Sequence, residues 1–81
     1  MIFAACCYCD HDMSYGIPDG AKLPAVVVRK CEGCGRANVF RASRVEPCGW
    51  TLEEGVAEYA ADPAAVAFIR QRAAELGCSN V

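Results

Sequence analysis

Cysteines recur as Cys6-x-x-Cys9 and Cys31-x-x-Cys34, the same spacing twice, with residues 10 to 30 between them. No other feature of the chain limits its fold as strongly. Two intervening residues let both sulfurs of a pair point into one site, while backbone N–H groups donate to the sulfurs and spread their charge. Two such pairs bring four thiolates to one tetrahedral centre, at about 2.3 Å from a zinc ion. Each turn also needs a left-handed residue after its second cysteine. Gly35 adopts that conformation without steric cost, and Asp10 tolerates it better than most residues.

A chain of 81 residues is near the size at which an apolar core alone barely offsets chain entropy, so a metal or disulfide staple is expected. No apolar run approaches the roughly 20 residues that cross a bilayer, and Met1–Ala5 lacks the basic and apolar regions of a signal peptide. A cytoplasmic protein without membrane contact is expected. In that reducing setting the cysteine pairs read as metal ligands rather than disulfides, and the odd total of seven cysteines leaves at least one thiol unpaired in any case. The composition, 54% apolar and 22% charged, is that of a globular chain.

The pattern along the chain predicts an α+β architecture: a small β-hairpin closed by cysteine turns (1–47) followed by a C-terminal helical hairpin (51–77), in one zinc-stabilised domain spanning 1–81. Ile2–Ala5 reads as a short strand, and Tyr15–Pro24, rich in Gly and Pro, as loop. The β-branched run Ala25–Lys30 and the extended run Val39–Val45 read as a hairpin turning at Cys31–Gly35. At Thr51-Leu52-Glu53-Glu54 a capping box starts a helix, with Leu52, Val56, Tyr59 and Ala60 on its apolar face. Asp62-Pro63 caps a second helix that runs to about Leu76 and stops at Gly77. Val66, Ile69, Ala73 and Leu76 point inward, and Cys78–Val81 reads as a frayed end.

Cys6, Cys9, Tyr15, Ile17, Pro18, Val28, Cys31, Cys34, Gly35 and Phe40 stand in the order of a known pattern. Over residues 3 to 45 the chain resembles the small two-knuckle, four-cysteine zinc ribbons of bacterial and phage proteins. The resemblance implies one structural zinc ion held by Cys6, Cys9, Cys31 and Cys34, with Phe40 packed beneath it. The chain departs from the pattern in having Cys7 where proline is usual, Lys30 inserted after Arg29, and a longer segment between the knuckles. The helical half lies outside the resemblance.

His11, the only histidine, is an alternative ligand or a solvent-facing loop residue. Cys7 can exchange with Cys6 only at the poorer C-x-C spacing. Cys48 and Cys78 read as core thiols, a redox pair between them being the other reading. A closed four-cysteine site keeps no open position for activating water, and no Ser/His/Asp or Cys/His pattern is assignable. No enzymatic activity is expected.

Three roles fit these residues. The first is a protein-binding adaptor or inhibitor, with Trp50, Tyr59 and Phe68 as candidate anchors; Trp50 and Phe68 are expected to pack into the core instead, which leaves Tyr15 and His11 as the freer contacts. In the second, nucleic-acid binding, Arg29, Lys30, Arg36, Arg41 and Arg44 line the hairpin, with Tyr8, Tyr15 or Phe40 stacking on bases. Against it, the net charge is −2. The third makes Cys7 the reactive member of a thiol redox sensor or metal carrier. Resemblance to phage-borne ribbons favours a regulator of a nucleic-acid-processing machine, with a protein as partner.

Overall fold

A computed structural model describes residues 3–14, 16, 26–41 and 49–81. The expected contact residues Tyr15 and Arg44, the thiol Cys48, the pattern residues Ile17 and Pro18, and the far end of the second extended run lie outside the described residues.

Strand β1 (Val26–Lys30) pairs antiparallel with β2 (Ala37–Arg41), placing Val28 opposite Val39. A third strand, β3 (Gly49–Thr51), pairs antiparallel with β2, so the order across the sheet is β1-β2-β3. Two helices follow, α1 (Leu52–Glu58) and α2 (Pro63–Glu75). The molecule is an α+β domain with its cysteine cluster at the β1–β2 hairpin.

Side chains alternate faces along a strand, and here both faces of the sheet are covered. Val26, Val28, Ala37 and Val39 join Leu52, Ile69, Ala73 and Cys78 in the core between sheet and helices. Val27 and Phe40 point the other way, onto Cys6, Met13 and Cys31. Residues 37 to 40 of β2 are therefore all buried. Phe40, at 1% exposure, lies among the metal-site cysteines, where burying its ring contributes about 1.5–3 kcal/mol.

Both helix starts follow from their capping residues. The Thr51 hydroxyl accepts from the Glu54 N–H at 3.2 Å and donates to the Glu54 carboxylate at 3.0 Å. Asp62 accepts from the Ala64 and Ala65 N–H groups ahead of Pro63. Each cap stabilises its helix by about 1 kcal/mol. Helix α1 lies close on the sheet because Gly55 has no side chain: a β-carbon there would meet Val39 Cγ2 at 2.6 Å.

The structure departs from the sequence reading in adding β3 to the expected two-strand hairpin and at four further places. Helix α1 ends at Glu58, so Ala60 is exposed beyond it. Phe68 lies on the flank of α2 and is 46% exposed. In the N-terminal segment the expected strand is a single bridge, Ala5 to Asp12, among the described residues. The expected frayed end is docked. Cys78 is buried, and Ser79 and Asn80 are bonded to the hairpin.

Candidate metal centre

Two chain turns of the same construction build the site. In the first, the Tyr8 N–H donates to Cys6 Sγ (3.4 Å), the Asp10 N–H to the Cys6 carbonyl (3.0 Å), and the Cys6 N–H to the His11 carbonyl (2.8 Å). The second repeats this set with Gly33 to Cys31 Sγ (3.3 Å), Gly35 to the Cys31 carbonyl (2.8 Å), and Cys31 to the Arg36 carbonyl (3.0 Å). Asp10 and Gly35 both take the left-handed conformation, with φ of 62° and 74°. The two knuckles are local twofold equivalents. Each also lays its last residue on the other: Arg36 stacks 5.1 Å from the Tyr8 ring centre, and a β-carbon on Gly33 would lie 3.2 Å from His11 Cγ.

This pairing brings Cys6, Cys9, Cys31 and Cys34 together, with all four sulfurs within 4.8 Å of one another. Across the seam between the knuckles, Cys6 lies 3.7 Å from Cys34 and Cys9 lies 3.6 Å from Cys31. Those separations far exceed the S–S bond length of about 2.05 Å. They match the edge of about 3.8 Å in a tetrahedron whose metal–sulfur bonds are about 2.3 Å long. The four residues can hold a metal ion. Cys31 is fully buried and Cys6 nearly so, while Cys9 is exposed.

Burial disfavours the Cys6 thiolate, but donors outweigh it: the Tyr8 and Cys9 N–H groups, the Asn38 carboxamide and the Cys9 thiol bring Cys6 down to about 6. At Cys9 the His11 N–H favours the thiolate. Desolvation, with the thiol held by Cys31, Cys6 and Cys34, overrides that and pushes Cys9 up to about 12. One anion among four close sulfurs resists a second, and a divalent cation removes that resistance by deprotonating coordinated thiols outright. The donor set therefore suits a soft or borderline divalent metal, and loading releases protons.

Asn38 is the buried polar residue of the described chain, at 0% exposure. It faces the knuckle from β2, accepts from the Cys7 N–H at 2.7 Å and donates to Cys6 Sγ at 3.4 Å. Sequence reasoning passed over it. The available signal was a carboxamide inside the apolar run Ala37-Asn38-Val39-Phe40, since a buried amide requires partners.

The other candidates lie around this centre. His11 is exposed and its imidazole is not among the four clustered ligand atoms. Burial, together with the Cys6 and Glu54 charges, pushes the Cys7 thiol up. Arg29 donates to the Met13 carbonyl at 3.3 Å, and Arg41 stacks over Trp50 at 5.6 Å. Lys30 is exposed at the end of β1. Trp50 and Tyr59 meet edge to face, with ring centres 6.0 Å apart, against the helix–sheet core.

No family model, curated protein or solved structure matches the chain. Among the described residues, no helix is long and apolar enough to cross a membrane.

Proposed function

We propose that this chain is a small zinc-binding protein of the two-knuckle ribbon kind, with one structural zinc ion on Cys6, Cys9, Cys31 and Cys34. Its role is non-enzymatic: an adaptor or inhibitor that binds a protein partner, a component of a nucleic-acid-processing machine. The observation that carries this reading is the cross-seam sulfur spacing of 3.6 and 3.7 Å, the edge length of a closed four-sulfur tetrahedron. A site with four protein ligands shapes a surface instead of activating water. Zinc suits it because tetrahedral thiolate sites select zinc or iron, and four protein ligands with no open position are the arrangement of structural zinc sites. The six described cysteines are free, as in a reducing compartment such as the cytoplasm.

Direct nucleic-acid binding is the second reading, and the placement of the cations weakens it. Arg36 and Arg41 lie over aromatic rings of their own chain and Arg29 is bonded to the Met13 carbonyl. A redox role for Cys7 is disfavoured by its raised thiol, because reactive cysteines are stabilised as thiolates. Binding of the zinc-loaded protein to a generic oligonucleotide, followed by anisotropy at low and moderate salt, separates the first two readings. No binding at low salt is expected. Micromolar affinity that falls steeply with salt would replace the adaptor reading with the nucleic-acid one.

A further inference from the structure

The last four residues, Cys78–Val81, cross the seam between the two knuckles. Gly77, with φ of 68°, turns the chain out of α2, and Cys78 anchors it in the helix–sheet core. The Ser79 N–H then donates to the Gly35 carbonyl at 2.8 Å, and Gly35 is the residue that closes the second knuckle. One residue later Asn80 uses its whole carboxamide. Its oxygen accepts from the Ala37 N–H at 2.8 Å, and its nitrogen donates to the Ala37 carbonyl at 3.3 Å and to the Tyr8 hydroxyl at 2.9 Å.

Tyr8 is the middle of the first knuckle, and its N–H donates to Cys6 Sγ. Its hydroxyl also accepts from the Leu52 N–H at 3.0 Å and donates to the Glu53 carboxylate at 3.2 Å. One donated and two accepted bonds fill the capacity of a phenol, so the Tyr8 ring is fixed at its far end as well as through its backbone. The segment thus holds both knuckles from outside, the second through Gly35 and the first through Tyr8.

We infer that Cys78–Val81 is a clamp across the metal centre, and that Asn80 and Tyr8 are positioning residues that set how long the bound metal stays. The inference rests on the metal-binding reading above. The close sulfur pairs each take one cysteine from either knuckle, so a metal ion escapes when the knuckles part, and the Ser79 and Asn80 bonds resist that parting. Linkage is reciprocal: metal holds the segment down, and a partner that binds the lifted segment weakens metal binding.

Transfer of zinc from the full chain to an excess of chromogenic chelator tests this. Asn80→Ala and Tyr8→Phe are each expected to speed release by about 10- to 100-fold, the range by which lost outer-shell partners weaken metal binding. The double variant should release zinc faster than either single one but by less than the product of their effects, because the two side chains share one bond and each makes others of its own. Ile69→Ala, in the helix–sheet core and with a side chain that makes none of the clamp's hydrogen bonds, is the stability control and should release zinc more slowly than Asn80→Ala at equal loss of thermal stability. If Asn80→Ala fails to fold, Tyr8→Phe, which keeps the ring, decides the comparison. A wild-type chain that retains no zinc would overturn the metal reading and the clamp together. Zinc retained by the wild type but released at the same rate by the variants, or as fast from Ile69→Ala, would overturn the clamp alone.

Discussion

Cys31→Ser is expected to abolish stoichiometric metal binding and, with it, the folded state of the hairpin and the first knuckle. Structural zinc sites contribute about 10–16 kcal/mol of apparent binding free energy, as much as the roughly 5–15 kcal/mol by which whole domains are stable. Cys31 is completely buried and lies in the apolar cluster with Cys6, Met13 and Phe40. Serine there leaves three thiols around an uncompensated site. Cys78→Ser is the matched control. That thiol is also buried, and burial pushes it up against a weaker opposing effect of Lys30, but it is not one of the clustered four. Its cost is the burial of a hydroxyl, about 1–3 kcal/mol, with metal retained. Far-UV circular dichroism melts and metal content of the two variants check the difference, and equal tolerance would contradict the ligand assignment.

The second large effect is expected at Asn38. Asn38→Ala removes the donor to Cys6 Sγ and the acceptor of the Cys7 N–H. The amide left without a partner costs about 1–3 kcal/mol, and metal affinity should fall by about 10- to 100-fold. Asn38→Asp gives a sharper sign. It keeps an acceptor for Cys7 but turns a negative charge toward sulfurs that are anionic when metal is bound, so it should bind metal more weakly than Asn38→Ala. Competition titrations against a chelator of known affinity rank the three proteins. An aspartate variant that binds as tightly as the native chain would remove Asn38 from the account of the site.

Features that repeat or that depend on one residue's backbone chemistry were legible in the sequence. The two knuckles, their left-handed Asp10 and Gly35, the hairpin they close, the Thr51 and Asp62 caps and the Gly77 stop all belong to this class. Strand β3 was not, because three residues, Gly49–Thr51, show no alternation and exist through pairing with β2. Asn38 and the two-faced burial of β2 depend on the N-terminal knuckle folding back over the sheet, a long-range event that no local pattern reports. The docking of Ser79 and Asn80 was hidden for the same reason: a short polar segment carries no period, and its partners Gly35, Ala37 and Tyr8 are far away in sequence. Phe68 shows the opposite error. Its apolarity read as core, but the inward stripe of α2 is filled by Ile69 and Ala73, which leaves the ring on the flank.

The central claim is that four cysteines of the chain form one closed tetrahedral thiolate site. Cobalt(II) titration of the reduced protein measures this most directly, since cobalt reports coordination geometry by its spectrum. The account predicts saturation at one equivalent, with the visible bands of a tetrahedral ion and near-ultraviolet thiolate charge transfer of the strength given by four sulfurs. Zinc should displace the signal, and the Cys31→Ser protein should not produce it. No binding, an octahedral spectrum, or the same spectrum from the native chain and Cys31→Ser would contradict the account.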